Sequence, residues 1–457
     1  MTQSAEFDVV VVGAGPSGEV CAGTLAEGGL SVAIVERDLV GGECSFYACM
    51  PSKGLLRPAQ LLAEARRVPG AAQALSGELD VPALIARRDE IVHGLSDEAQ
   101  LAWLSERGVE LVRGRGALCG RREVLVGERL LHARRAVVLA VGTTAAVPAI
   151  PGLREARPWT NREATTAPAA PGSLLVLGGG VVGVELACAY ASMGTRVTVL
   201  EGLERLISTE EEFASEQVRS ALVELGVQVE LGGRVVRAER TDAQVSLELE
   251  DGRSFSGEEL LVAVGRRPLT EDLGLESVGL TAGGYVQVDD TLRVHGEDWL
   301  YVVGDANGRV LLTHMGKYQA RLAADHILGR PVALLADGAL SPRVIFTEPQ
   351  VASVGYTLAG ALAAGVRARA VDVGVQANAG GSFIGRGAPG TARLVVDEDR
   401  GVVVGATFTG VEVAESLHAA TIAVVGEVPL ERLRHAVPAF PTRSEMWLNL
   451  LERYHAA

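Results

Sequence analysis

Twice along this chain the same arrangement recurs: an apolar run, a glycine-rich turn, a stretch of helical character, a second apolar run and a closing acid. The first copy starts at Phe7–Val12 (FDVVVV), turns through GAGPSG with Gly13, Gly15 and Gly18, and ends SVAIVE at Glu36. The second reads SLLVLGGGVVGVELACAYASMGTRVTVLE, with Gly178, Gly180, Gly183 and the closing Glu201. Gly13 to Glu36 is 23 positions, and so is Gly178 to Glu201. A continuous apolar run of this kind reads as a strand buried on both faces. Each copy therefore predicts strand, turn, helix, strand and acid, the βαβ unit of a parallel sheet.

Such a unit needs these residue types at these places. The first glycine makes the tight turn, the second lets backbone approach a pyrophosphate, and the third lets the helix pack on the strand. The helix N-terminus offers free N–H groups to phosphates. The closing acid accepts a hydrogen bond from an adenosine ribose 2′-OH. A single copy is weak evidence, because an ordinary glycine-rich turn reads alike. Two copies with equal spacing predict a chain that binds two dinucleotides, or one dinucleotide at each of two sites. At the second site a carboxylate repels a 2′-phosphate, and only Arg205 lies in the short stretch that follows Glu201. NADH is therefore favoured over NADPH.

A chain of 457 residues predicts two to four domains. Abundant apolar residues and glycine with few aromatics suit α/β layers. A net charge of −15 repels phosphates and acidic lipids, so no nucleic-acid or anionic-membrane partner is expected. The opening MTQSAEF lacks a basic segment followed by an apolar one, and no apolar run is long enough for a bilayer. The expectation is a soluble cytoplasmic protein without membrane insertion. There a disulfide is more readily catalytic than structural.

Only five cysteines occur, yet Cys44 and Cys49 sit close together in GGECSFYACMPSK, residues 41–53. The segment through KGLLRPAQLLAEARR reads as helical, with apolar Leu55, Leu56, Leu61, Leu62 and Ala65. Five residues of regular helix rise ~7.5 Å, beyond the roughly 7 Å Cα limit for a disulfide. A bridge requires an irregular first turn, which Pro51 is expected to supply by disfavouring helical geometry at Met50. A distorted bridge is easier to reduce, and a helix N-terminus lowers a thiol's pKa. Two buried inert cysteines, or a metal pair, are the other readings, although no further His or Cys lies nearby in sequence. Beside two dinucleotide sites, redox chemistry leads.

These segments together resemble the flavoprotein disulfide reductases, the pyridine nucleotide-disulfide oxidoreductase family that includes dihydrolipoamide dehydrogenase, glutathione reductase and mercuric reductase. GGECSFYACMPSK resembles the family's redox-active GGTCxNxGCxPSK. AVVLAVGTTAAVPAIPG (136–152) and LVAVGRRP (261–268) resemble the exit from the FAD domain and the return from the NAD domain. YVVGDANG (301–308) resembles the second FAD motif, and IFTEPQVASVG (345–355) the start of the dimerisation domain. The resemblance implies two Rossmann-like dinucleotide-binding domains plus a C-terminal α+β dimerisation domain. FAD would occupy 1–150 and 266–335, NAD 151–265, and dimerisation 340–457, with ATTAPAAPG (164–172) as the approach to the inserted domain.

Carried over by position, Gly13, Gly15, Gly18, Glu36, Gly42, Gly116, Gly142, Asp305 and Thr313 would serve FAD. Gly116 would hold adenine by its backbone, Asp305 the ribityl hydroxyls, and the N–H groups around Thr313–Met315 the flavin pyrimidine. Gly178, Gly180, Gly183, Glu201 and Gly265 would serve the nicotinamide cofactor. Lys53 would lie by flavin N5 and pair with Glu185. Cys49 would face the flavin, and Cys44 would exchange with an outside disulfide. Electrons would run from NADH through FAD and a Cys44–Cys49 disulfide to a small-molecule acceptor, in a homodimer.

The chain departs from this pattern at two places. The family's C-terminal HPTxSE, which supplies a thiol base to the partner subunit, reads Phe440-Pro441-Thr442-Arg443-Ser444-Glu445. The acid that would orient the histidine is kept as Glu445, but Phe440 replaces the base, and His435 does not match the motif. Losing a general base costs about 10²–10⁴-fold, so weak lipoamide turnover is expected. Mercuric reductases also lack that histidine but carry a C-terminal cysteine pair, and no cysteine follows Cys188 here. In the redox segment, Glu43, Phe46 and Ala48 replace the usual Thr, Asn and Gly. A carboxylate at 43 opposes thiolate formation if buried and unpaired. Either the acceptor needs no thiol base, as for a quinone, dye, metal ion or oxygen, or another base is supplied. A non-enzymatic flavin-binding redox sensor is the alternative from another class, which NADH turnover with any acceptor would exclude.

Overall fold

A computed structural model describes residues 3–456. The chain divides into two compact units, one drawn from residues up to Pro51, Asp89–Ala146 and Arg266–Gly338, the other from Ser52–Arg88, Val147–Gly265 and Ala339 onward.

In the first unit β1 (Gln3–Val12), α1 (Pro16–Glu27) and β2 (Val32–Glu36) form the first βαβ copy. β1 pairs in parallel with β2, Val9 opposite Val32 through Val12 opposite Val35. Its other edge pairs in parallel with Arg129–Leu139. Both edges and both faces are therefore occupied, and Val9, Val10 and Val11 have no exposed surface. That is why FDVVVV shows no alternation. Glu110–Arg113 extends the sheet beyond β2, Leu300–Val302 joins Arg129–Leu139 in parallel, and an antiparallel meander completes it. A small antiparallel pair, Thr143–Ala145 with Arg266–Pro268, lies apart from that sheet.

In the second unit Ser173–Leu177, the helix Val181–Ser192 and Arg196–Glu201 repeat the scheme. Their four-stranded parallel sheet is completed by Gln228–Leu231 and Glu259–Val262. A three-stranded antiparallel sheet packs Val245, Leu247 and Leu249 against Leu175, Leu200 and Leu260 of the parallel one. From Arg343 onward a five-stranded antiparallel sheet buries Ala352, Phe408 and Leu394 against Leu417, Ala420 and Leu450 of flanking helices. The architecture is two Rossmann-like units and a C-terminal α+β layer.

The redox segment forms two helices, α2 (Gly42–Phe46) and α3 (Cys49–Arg67), separated by Tyr47 and Ala48. The irregularity between the cysteines is thus present but lies earlier than Pro51 predicts. Met50 is helical. Pro51 falls in the first turn of α3, where a missing N–H removes no helical hydrogen bond. Leu55 and Leu56 are buried as expected, whereas Leu61 is 47% exposed. Six residues carry Leu61 about 240° round the helix from Leu55, off the packed face.

Candidate active site

The two glycine turns have one construction. Gly13 and Gly178 have φ of +102° and +111°, and a Cβ on either would lie 2.5 Å from the carbonyl oxygen of the residue that follows a neighbouring strand, Ala140 or Ala263. A Cβ on Gly18 would meet the Gly13 carbonyl oxygen at 1.8 Å, and one on Gly183 the Gly178 oxygen at 2.0 Å. The middle glycines differ. Gly15 and Gly180 cap their helices and face open space, with nothing within 4 Å of a Cβ position. Open backbone at a helix N-terminus is what a diphosphate requires.

The closing acids are also fixed alike. Glu36 accepts from Ala14 N at 2.8 Å and Asp38 N at 2.7 Å. Glu201 accepts from Gly179 N at 2.5 Å and Leu203 N at 2.8 Å. A cavity of about 290 Å³ opens beside the first turn, lined by Gly13, Glu36, Arg115, Gly116, Asp272 and neighbours. Open turn, acid and cavity fit the phosphates and adenosine of FAD. Arg205 spends its guanidinium on the carbonyls of Ser208, at 2.8 Å, and Glu210, at 3.4 Å. Gly142 and Gly265 sit at positive φ, +68° and +137°, with open space beside them.

No disulfide joins Cys44 and Cys49 in this structure. Gly42, at the start of α2, is packed so closely that its Cβ would lie 2.9 Å from Gly15 Cα. The turn that would meet the cofactor phosphates therefore also seats the cysteine-bearing helix. Cys49 Sγ lies 3.4 Å from Thr313 Oγ1. The hydrogen bond that the Cys44 thiol donates to Cys49, then burial, hold its pKa above the ordinary value, against the Thr313 hydroxyl and the Lys317 ammonium. Thr313 opens the helix Thr313–Ile327, whose first N–H groups favour negative charge. Asp305 bonds to the Thr143 hydroxyl at 2.7 Å. Burial, helped by the Glu43 charge, holds the Asp305 pKa above its ordinary value, against the Thr143 bond and Arg266, which lower it. Glu43 is paired with Arg266, so its carboxylate is not left uncompensated beside the cysteines.

In the second unit, Lys53 Nζ donates to Glu185 Oε2 at 2.8 Å, and the Glu185 side chain is 5% exposed. The other Glu185 oxygen accepts from Phe346 N at 2.8 Å. The Phe346 ring faces Lys53 Nζ at 4.7 Å. Lys53 follows Cys49 by four residues on α3, one helical turn.

A family model described as pyridine nucleotide-disulphide oxidoreductase matches residues 7–320, and its dimerisation domain matches 341–451. The chain belongs to this family. Among curated relatives, dihydrolipoyl dehydrogenase of Haloferax volcanii is 31% identical, over 97% of this chain and 95% of the relative. That of Chlorobaculum tepidum is 32% identical, over 97% and 96%. Among solved structures, LpdA of Mycobacterium tuberculosis superposes with a TM-score of 0.85 at 26% identity, covering 99% of both chains. A Cu(II) complex of the HOCl-induced flavoprotein disulfide reductase RclA from Escherichia coli superposes at 0.85 with 25% identity, covering 98% of this chain and 99% of that one.

As a pyridine nucleotide-disulphide oxidoreductase the protein is an enzyme that uses FAD and NAD(P)H, and its dimerisation domain makes it a homodimer. Among the described residues no helix is long and apolar enough to cross a membrane. In the segment where the family carries its base, Phe440 is 77% exposed. Glu445 accepts from Gly380 N at 3.4 Å, so the acid kept from the motif serves a neighbouring loop. Phe346, Thr143, Arg266 and the Thr313 side chain escape sequence reasoning. Thr143, Arg266 and Phe346 do lie inside family-like segments, at 136–152, 261–268 and 345–355, and Lys317 is one of only two lysines in the chain.

Proposed function

We propose that electrons pass from NADH, by way of bound FAD, to the Cys44–Cys49 disulfide, and from Cys44 to an acceptor that needs no thiol base. FAD supplies the two-electron link between nicotinamide and sulfur. NADH delivers two electrons and one proton, and solvent the second proton, so the S–S bond is replaced by two thiols and NAD⁺ leaves. Cys49, with the Thr313 hydroxyl beside it and a helix N-terminus nearby, is the thiol assigned to the flavin side. Cys44 is assigned to the acceptor. Lys53, held by the buried Glu185, is assigned to flavin N5. We assign NADH rather than NADPH, supported by the Glu201 carboxylate and by the engagement of Arg205 with main-chain carbonyls. We further place the enzyme in the reducing cytoplasm, where a catalytic dithiol is kept available.

The observation that carries the choice of acceptor is Phe440, exposed and without acid–base capacity, together with Glu445 engaged elsewhere. A quinone or a metal ion takes electrons without a proton transfer at that position, and the Cu(II) complex of the neighbour RclA favours keeping metal ions in this class. The test is an anaerobic NADH titration followed in the visible spectrum, with steady-state comparison of lipoamide, quinones and metal ions. A thiolate-to-flavin charge-transfer band and weak lipoamide turnover are expected. Direct flavin bleaching, with turnover unchanged in Cys44→Ser, would move the reaction off the cysteines. Robust lipoamide turnover would overturn the reading of Phe440.

A further inference from the structure

Glu43 stands where the family's redox segment has threonine, and its charge calls for an explanation. Arg266 provides one. Its guanidinium pairs with the Glu43 carboxylate, and its Nε donates to Thr143 Oγ1 at 2.6 Å. Nη2 also donates to the Thr143 carbonyl at 2.9 Å. The strand pairing of Arg266 with Ala145 fixes the backbone at this point. A hydroxyl has one proton. Having accepted from Arg266, Thr143 Oγ1 gives that proton to Asp305 Oδ2, at 2.7 Å. The same Asp305 oxygen lies 3.9 Å from Arg266 Nε. The side chains of Arg266, Glu43 and Asp305 are 22%, 19% and 24% exposed, so solvent screens this chain only in part.

We propose that Arg266 is a positioning residue shared by two sites: it neutralises Glu43 on the cysteine-bearing helix and, through the Thr143 hydroxyl, fixes Asp305 as a carboxylate turned toward the cofactor. The proposal rests on the assignment of Asp305 to the FAD ribityl chain. With Oδ2 occupied by Thr143, Oδ1 is the oxygen left for cofactor hydroxyls. The charged groups acting on Asp305 are Arg266, which favours its ionised form, and Glu43, which opposes it; burial opposes it as well. Glu43 therefore tempers the hold of Arg266 on Asp305, and Arg266 prevents two carboxylates from facing each other across a half-buried gap.

The test follows FAD release from the holoenzyme by flavin fluorescence after dilution, from pH 5 to 8. In Arg266→Gln, the cation that favours ionised Asp305 is lost while the Glu43 charge still opposes it, and the pH midpoint of release is expected to rise by about one unit, tenfold in proton affinity. In Glu43→Gln, Arg266 serves Asp305 alone and the midpoint is expected to fall. The double variant returns toward wild type. Arg266→Lys keeps the charge but not the fork that reaches both partners, so it should speed release at every pH without moving the midpoint. An unchanged midpoint in both single Gln variants, or a double variant no closer to wild type than Arg266→Gln, would overturn the proposal. If Arg266→Gln fails to fold, Glu43→Gln and Arg266→Lys still decide it. FAD retention does not depend on the acceptor or on sulfur chemistry, so failure here is distinct from failure of the NADH titration. A wild-type protein that binds no FAD would remove the assignment of Asp305 itself.

Discussion

Glu185 is a carboxylate with 4% of its surface exposed, and a charge so placed persists only with partners on both oxygens. Lys53 serves one and the main chain of Phe346 the other. The Phe346 ring adds attraction to the ammonium, about 0.5–2 kcal/mol for such a cation–π contact. Phe346→Leu keeps the main-chain bond and loses only the ring. It should slow reduction by NADH several-fold, measured by stopped-flow absorbance, at a nearly unchanged melting temperature. Lys53→Met strands the Glu185 charge and should cost both rate and stability. Equal rates in wild type and Phe346→Leu would leave the ring no positioning role. Glu19, in the first turn of α1, is a different kind of group. Burial, partly offset by Lys317, raises its pKa from 4.5 to about 7. A carboxyl raised on folding binds its proton more tightly in the native state, so the stability it gives is full below the unfolded pKa and fades as pH rises through 7. Glu19→Gln is expected to match wild type near pH 4.5 and to exceed it above pH 7 by at most about 3 kcal/mol. Parallel stability–pH curves for the two proteins would show that folding does not move the Glu19 pKa.

At the scale of elements, the second βαβ copy and the C-terminal sheet are tied within one unit by buried ion pairs. Glu210, before the helix Glu212–Glu224, takes a two-pronged bond from Arg343 at 2.6 and 3.1 Å and a third from Ser353 at 2.7 Å. The Glu210 side chain is 3% exposed. Arg343→Met leaves that charge buried and short of its cation, a loss of about 3–5 kcal/mol. A lower denaturation midpoint should follow, with much of it regained in the Glu210→Met/Arg343→Met pair; a midpoint equal to wild type in the single variant would refute it. This tie is invisible in sequence, because its members are 133 and 143 positions apart. The parallel sheets, by contrast, were legible, since their strands and turns are consecutive and the glycine spacing is local geometry. The cysteine pair and the acids Glu36 and Glu201 were legible for the same reason. Glu43–Arg266 spans 223 positions and Thr143–Asp305 spans 162, so only tertiary register brings them together. The sequence predicts a break between the cysteines but points to Pro51 for it, which is harmless in a first turn, whereas Tyr47–Ala48, where it lies, carry no breaker signal.

Across the whole molecule, 42 basic side chains include only two lysines, Lys53 and Lys317. Every other cation is arginine, which holds its proton throughout the accessible pH range and does not react as an amine. Both lysines belong to elements of the cysteine site in sequence: Lys53 follows Cys49 by four residues, and Lys317 follows Thr313 by four. Lys317 acts on Cys44 and on Glu19, in each case favouring the anion. Amine-directed acetylation can therefore reach, besides the chain terminus, only two side chains, an unusually clean probe in a chain of this size. The Lys53 side chain is 35% exposed and should react. Its acetylation removes the charge that meets Glu185. Loss of NADH-dependent reduction is expected to track the fraction of Lys53 acetylated, read by mass spectrometry, and to be slowed by saturating NADH. Acetylation at Lys317 should instead raise the pH at which Cys44 is alkylated by iodoacetamide in the reduced enzyme. Full acetylation at Lys53 with undiminished reduction by NADH would separate that lysine from the flavin, and the electron path proposed here would lose its N5 partner.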